Sequence, residues 1–94
     1  MQAAGRNQVE RIGRLVYAQV RGEWLVGEAA RLAARSPAPA LDLLLARGRA
    51  LGARCQLLSG LFPDPPADDT DAATAGMIAL NEEIHRYLDG AGWP

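Results

Sequence analysis

The chain of 94 residues has no lysine, one cysteine, one histidine and only five aromatic residues, Tyr17, Trp24, Phe62, Tyr87 and Trp93. A single thiol cannot close an internal disulfide, so Cys55 is expected to pack as a small reduced hydrophobe. One histidine makes a poor zinc site, because zinc is held by three or four side-chain ligands of suitable spacing. No metal or cofactor is expected. With so few rings the core must be aliphatic and modest, with a thin margin over chain entropy that oligomerisation would widen. No apolar run reaches the roughly 18 residues of a membrane span. The Met1 to Gly5 start lacks the basic-then-apolar layout of a signal peptide, so a cytoplasmic protein is expected. Nothing alternates with a period of two over a strand length, and no internal repeat is present, so the chain reads as all-α.

Basic charge comes from ten arginines, a bias that, with the abundant Ala and Gly, is expected of a GC-rich bacterial genome. Its distribution is uneven. Residues 1 to 61 hold nine arginines against Glu10, Glu23, Glu28 and Asp42, a balance of +5, whereas residues 62 to 94 hold Arg86 against seven acids, a balance of −6. Head and tail attract, so the acidic part is expected to fold over the basic helices.

Three helices follow from caps, prolines and apolar spacing, and they make one domain over residues 1 to 94. Asn7 followed by Glu10 reads as a capping box opening a helix over 8–35. Its apolar arc is read as Val9, Ile12, Val16, Val20, Ala30 and Ala34, with a kink near Gly22 to Gly27. Ser36-Pro37-Ala38-Pro39 breaks the chain and restarts it as a second helix over 37–60 behind a Ser cap. Along that helix Leu41, Leu44, Gly48, Leu51, Cys55, Leu58 and Phe62 recur at alternating steps of three and four, the spacing of a packed seam. Residues 61–69 are rich in Pro and Asp and read as a linker. A third, shorter helix over 70–89, capped by Asp69 or Thr70, carries the stripe Ala73, Met77, Leu80, Ile84 and Tyr87 and an i, i+4 pair of Glu82 with Arg86. The expected architecture is an antiparallel helical hairpin with the third helix packed against it, a small bundle expected to be oligomeric.

No complete catalytic, nucleotide or metal motif occurs, so no catalytic residue is assigned and an enzyme is not the leading expectation. Glu23 falls inside the apolar arc read for the first helix, where an unpaired carboxylate would cost several kcal/mol. It is therefore expected to pair with Arg47 or Arg54 and fix helix register, in this chain or across a subunit interface. The same three residues would centre a ligand-binding or enzymatic bundle, although no small molecule is the leading expectation. Arginines 14, 21 and 35 line one helical face and would serve a DNA-associated regulator, but Glu28 interrupts them and no dense basic cluster exists, so nucleic acid is not favoured.

The remaining signal is surplus apolar surface. Leu43, Ala50, Leu57 and Leu61 form a second stripe on the second helix, and Leu25 and Leu32 leave the arc read for the first. One hairpin cannot cover both stripes. The leading expectation is a protein-interaction module, an adaptor, assembly factor or chaperone-like small subunit, that self-associates or holds a partner helix through Trp24, Leu25, Leu43, Leu57 and Leu61.

Overall fold

The computed structural model describes the backbone of residues 2–93 and the side chains of residues 7–93. Met1, part of the opening stretch that bears on a signal peptide, lies outside the described residues, as does Pro94. Three helices, α1 (Gln2–Arg35), α2 (Pro39–Ser59) and α3 (Ala67–Gly90), account for the fold, and no strand occurs among the described residues. The molecule measures 51 × 21 × 16 Å. Its long axis is the length of α1, 34 residues at about 1.5 Å each.

Element boundaries depart from expectation at three caps. Residues 2–6, Gln-Ala-Ala-Gly-Arg, continue α1 upstream, so Asn7 lies inside the helix and is not its cap. Alanine is the best helix former, and two of them here outweigh the capping preference of Asn. Between α1 and α2 the cap is Ala38 in an extended conformation with Pro39 in the first turn, rather than Ser36. α3 begins at Ala67 behind Pro66, placing Asp68 and Asp69 in its first turn, where carboxylates oppose the positive helix end. Thr70 is then interior: its hydroxyl donates to the Pro66 carbonyl at 2.7 Å, and Thr74 donates to Thr70 in the same way at 2.8 Å. These bonds let two hydroxyl residues be buried on a helix without leaving their oxygens unpaired. α1 runs unbroken through Gly22 and Gly27.

The three helices alternate in direction. Leu25 and Ala29 of α1 pack with Leu41, Leu44 and Leu45 of α2, whereas Leu15 and Ala18 pack with Cys55 and Leu58, so α1 and α2 are antiparallel. Arg11 meets Asp71, Ala18 meets Asn81, and Glu28 meets Trp93, a rising order that makes α1 and α3 parallel. The core has two layers. Leu25, Leu41, Leu45, Leu80, Ile84 and Leu88 fill the layer near the α1–α2 connection, and Leu15, Cys55, Leu58, Ala73 and Met77 fill the other. Leu51 touches both layers.

The seam of α2 is buried as its spacing requires: Leu41, Leu44, Gly48, Cys55 and Leu58 are buried and Leu51 half-buried. Phe62 is excluded, 60% exposed, because the helix ends at Ser59 and the turn carries it outward. α1 is rotated from the arc read in the sequence. Its buried residues are Ile12, Leu15, Ala18, Gly22, Leu25 and Ala29, while Val9, Val16 and Val20 are exposed. Val20 stands two residues from Ala18 and two from Gly22, a step that puts it across the helix from the core.

The waist between the two layers is built on glycine. A Cβ at Gly48 would sit 2.5 Å from Val26 Cγ2, and one at Gly22 would collide with Met77 Cε. Gly48→Leu is therefore expected to overpack the waist and cost about 1–3 kcal/mol by urea denaturation. Leu at Gly52, where a Cβ meets nothing within 4 Å, should be close to neutral or stabilising. Equal stabilities for the two variants would remove Gly48 from the helix contact.

Beyond α3 the chain folds back on itself. Gly92 takes φ +83, a left-handed conformation that L side chains avoid, and its N–H donates to the Asp89 carbonyl at 3.1 Å. The Trp93 N–H then donates to Leu88 at 2.9 Å. This turn lays Trp93 edge-to-face against Trp24 at 5.4 Å and His85 at 5.6 Å, with its indole N–H donating to Glu28 at 3.3 Å.

Candidate functional site

α2 is amphipathic in an unusual sense, because its outward face is also apolar. Leu43, Ala46, Ala50, Ala53 and Leu57 follow steps of three, four, three and four, and every one is exposed. Each stands two residues from a seam position, which sends it away from the bundle. Leu43 is 61% and Leu57 70% exposed, and Leu61 and Phe62 extend the stripe past the helix end. A stripe with this spacing is the geometry by which one helix packs along another. No charged residue falls within it.

Its flanks are charged but balanced on one side. Arg47 lies 3.1 Å from Glu83 and Arg54 3.9 Å from Asp69, both acids coming from α3. These exposed pairs contribute little stability, since each is screened by solvent. They do place a carboxylate beside two of the three arginines that border the stripe.

The expected pairing of Glu23 with Arg47 or Arg54 does not form within this chain. Glu23 is exposed, and its contact is the amide of Gln19, one turn earlier, at 3.4 Å. The rotation of α1 explains the difference: Glu23 turns onto the shoulder facing α2, where it lines a shallow cleft with Arg49, whereas Arg47 and Arg54 stand on the α2 shoulder facing α3. The structure thus does not assemble a Glu23, Arg47 and Arg54 cluster. Leu25, expected to meet a partner, is fully buried in the core. Trp24 is half-exposed but already holds Trp93. Among the expected partner-facing residues, Leu43, Leu57 and Leu61 remain open.

A second surface lies between α1 and α3. An open groove of about 910 Å³ is bordered by Arg14, Tyr17 and Arg21 from α1 and by Ile78, His85 and Arg86 from α3. The Glu82 to Arg86 pair expected from sequence is not formed; His85 instead pairs with Asp89 at 3.2 Å. An i, i+4 pair in water is worth only a few tenths of a kcal/mol and does not hold its side chains. Arg35, grouped in sequence with Arg14 and Arg21, lies at the last turn of α1 and does not border the groove. Glu28, which interrupts that row, is taken by Arg31 at 2.6 Å and by Trp93.

Buried polar chemistry is sparse. Cys55 is fully buried and donates weakly to the Ala73 carbonyl at 4.0 Å. Burial pushes its thiol above the ordinary pKa, and Arg54 opposes that only in part, which favours the protonated thiol over the thiolate. Asn81 donates to the Ala18 carbonyl at 3.1 Å across the α1–α3 contact, while its amide oxygen faces Gly22 with no hydrogen-bond partner. Among the described residues no group of three His, Cys, Asp or Glu side chains is placed to hold a metal, and no helix is long and apolar enough to cross a membrane. In comparisons with known proteins the chain matches no protein-family model, no curated protein and no solved structure.

Proposed function

We propose that the protein is a non-enzymatic helical interaction module that self-associates, laying the outward stripe of α2 antiparallel against the same stripe of a second copy. The observation that carries this reading is the stripe itself. Read in either direction it runs Leu, Ala, Ala, Ala, Leu, centred on Ala50. A two-fold axis at Ala50 therefore sets Leu43 of one copy against Leu57 of the other and Ala50 against Ala50, with Ala46 and Ala53 offset by one residue, about 1.5 Å. That is the self-complementarity an isologous interface requires. The alanines let the two backbones approach to the short end of the usual 8–10 Å helix spacing. Glu83 and Asp69, paired with Arg47 and Arg54, lower the repulsion that these arginines would meet across the axis.

Ala50→Cys tests the geometry. Oxidation should yield a covalent dimer, because the axis brings the two thiols within disulfide reach. Leu43→Cys should not cross-link, since its partner on the axis is Leu57, and the native Cys55 is buried and out of reach. Sedimentation velocity of the unmodified chain should show dimers forming with concentration. A strict monomer at high micromolar concentration would reject self-association and leave the stripe to a helix of another protein.

A further inference from the structure

The α1–α3 groove is independent of the α2 stripe and has a different chemistry. Its walls combine three guanidinium groups, from Arg14, Arg21 and Arg86, with two exposed apolar side chains, Tyr17 at 73% and Ile78 at 47%. None of the three arginines has a carboxylate within 4.0 Å among the described residues, although five ion pairs form elsewhere on the protein. Arg86 is the informative one. Glu82 stands one turn before it and borders the same groove, yet the two do not meet.

The parallel register of α1 and α3 orders these groups along the groove. Ala18 opposite Asn81 puts Arg21 level with His85 and Arg86, so two arginines and the imidazole gather toward one end. The edge of Trp93 packs behind His85 there. Arg14 stands two turns from Arg21, about 10 Å along the helix. Tyr17 lies between those arginines, three residues from Arg14 and four from Arg21, and Ile78 faces from α3. Gly13 and Ala18 keep that wall shallow, since neither side chain fills it.

We infer that this groove binds a small organic anion with an apolar body, its phosphate or carboxylate held by Arg21 and Arg86 and its body lying against Tyr17 and Ile78. Guanidinium forks match the planar or tetrahedral oxygens of such groups and are less strongly hydrated than an ammonium, so they give up water at lower cost. The apolar body supplies what the arginines alone do not: it removes Tyr17 and Ile78 from water. The volume suits a cofactor- or metabolite-sized molecule and exceeds what a bare inorganic anion fills. Glu10 and Glu82 at the rim disfavour a long polyanion, because each would face a phosphate of any backbone laid along the groove. The three arginines outnumber those two carboxylates, which leaves the positive balance a single anionic group needs.

Phenyl phosphate, which carries a ring and a phosphate, is the direct probe, with inorganic phosphate and phenol as its separated halves. Followed by amide NMR, phenyl phosphate should shift Gly13, Tyr17, Arg21, Ile78 and His85 together and saturate in the millimolar range or below. Each half should bind at least about tenfold more weakly, a difference of 1.4 kcal/mol. Arg21→Gln with Arg86→Gln should weaken phenyl phosphate by about tenfold or more, since each removes charge-assisted hydrogen bonds from the held group. Both side chains are exposed, so circular dichroism should show unchanged helicity. Leu43→Asp with Leu57→Asp should leave the affinity unchanged, which separates this site from self-association. Shifts absent in the millimolar range would overturn the inference. So would equal binding of inorganic phosphate, shifts scattered over all arginines, or an affinity indifferent to the double glutamine variant.

Discussion

If the proposed self-association holds, Leu43→Asp combined with Leu57→Asp is expected to convert the protein to a monomer at concentrations where the unmodified chain forms dimers. In the antiparallel arrangement each substituted position faces the other, so a dimer would bury four carboxylates in two apolar contacts, and the flanking Arg47 and Arg54 already face Glu83 and Asp69. Carboxylates removed from water without partners cost several kcal/mol. The dissociation constant is expected to rise by at least about 100-fold, equal to 2.7 kcal/mol, read by sedimentation velocity. The fold itself should be little affected, because both leucines stand in solvent in the single chain. Asp at position 43 lies in the first turns of α2, where it is favourable, and Asp at position 57 lies in the last turn, where it is not; the two effects oppose each other. Unchanged sedimentation of this variant would place the interface elsewhere.

Leu25→Ala should lower stability by about 2–5 kcal/mol, a large share of the 5–15 kcal/mol typical of a domain. Leu25 is fully buried and packs among Leu41, Leu45 and Leu88, so truncation leaves a cavity lined by three helices. Val20→Ala, five residues away on the outer side of the helix and 58% exposed, should stay within about 0.5 kcal/mol in the same urea titration. The ratio of these two effects measures the rotation of α1. Similar losses at both positions would mean that α1 sits in the orientation its valines suggest.

That rotation marks where the sequence was readable and where it was not. α2 announced itself through Leu41, Leu44, Gly48, Cys55 and Leu58, because that row is longer and richer in leucine than the outward row of Leu43, Ala46, Ala50, Ala53 and Leu57, and its small residues sit where another helix packs close. α1 carries two apolar faces. The outer one holds the bulky Val9, Val16, Val20 and Trp24, whereas the inner one relies on Ala18, Gly22 and Ala29 between Leu15 and Leu25. A hydrophobicity count favours the valines. Close helix contact favours the small residues, and contact decides the fold. Glu23 was misplaced for the same reason, since its environment depended on that phase. Caps failed as signals where the helix ran on upstream, as through residues 2–6, and where Pro39 held the residue before it, Ala38, extended in place of Ser36. The stripe of Leu43 and Leu57 was legible because it lies within one element. The groove was not, because Arg86, more than sixty positions along the chain from Arg21, joins Arg14 and Arg21 only through the parallel register of α1 and α3.

Among the described residues the three ion pairs between helices share a polarity: Arg11 with Asp71, Arg47 with Glu83 and Arg54 with Asp69 each join an arginine of the first two helices to an acid of α3. Their side chains are partly wet, so they add little to the depth of the folded state. Their expected effect is on the approach. Residues 1–61 carry a net charge of +5 and residues 62–94 one of −6, so attraction over a Debye length should speed the meeting of α3 with the first two helices. Added salt, which shortens that reach to a few ångströms, is expected to slow refolding in stopped-flow while leaving the unfolding rate nearly unchanged. On that expectation the charge asymmetry guides assembly, and the aliphatic core supplies the lasting hold.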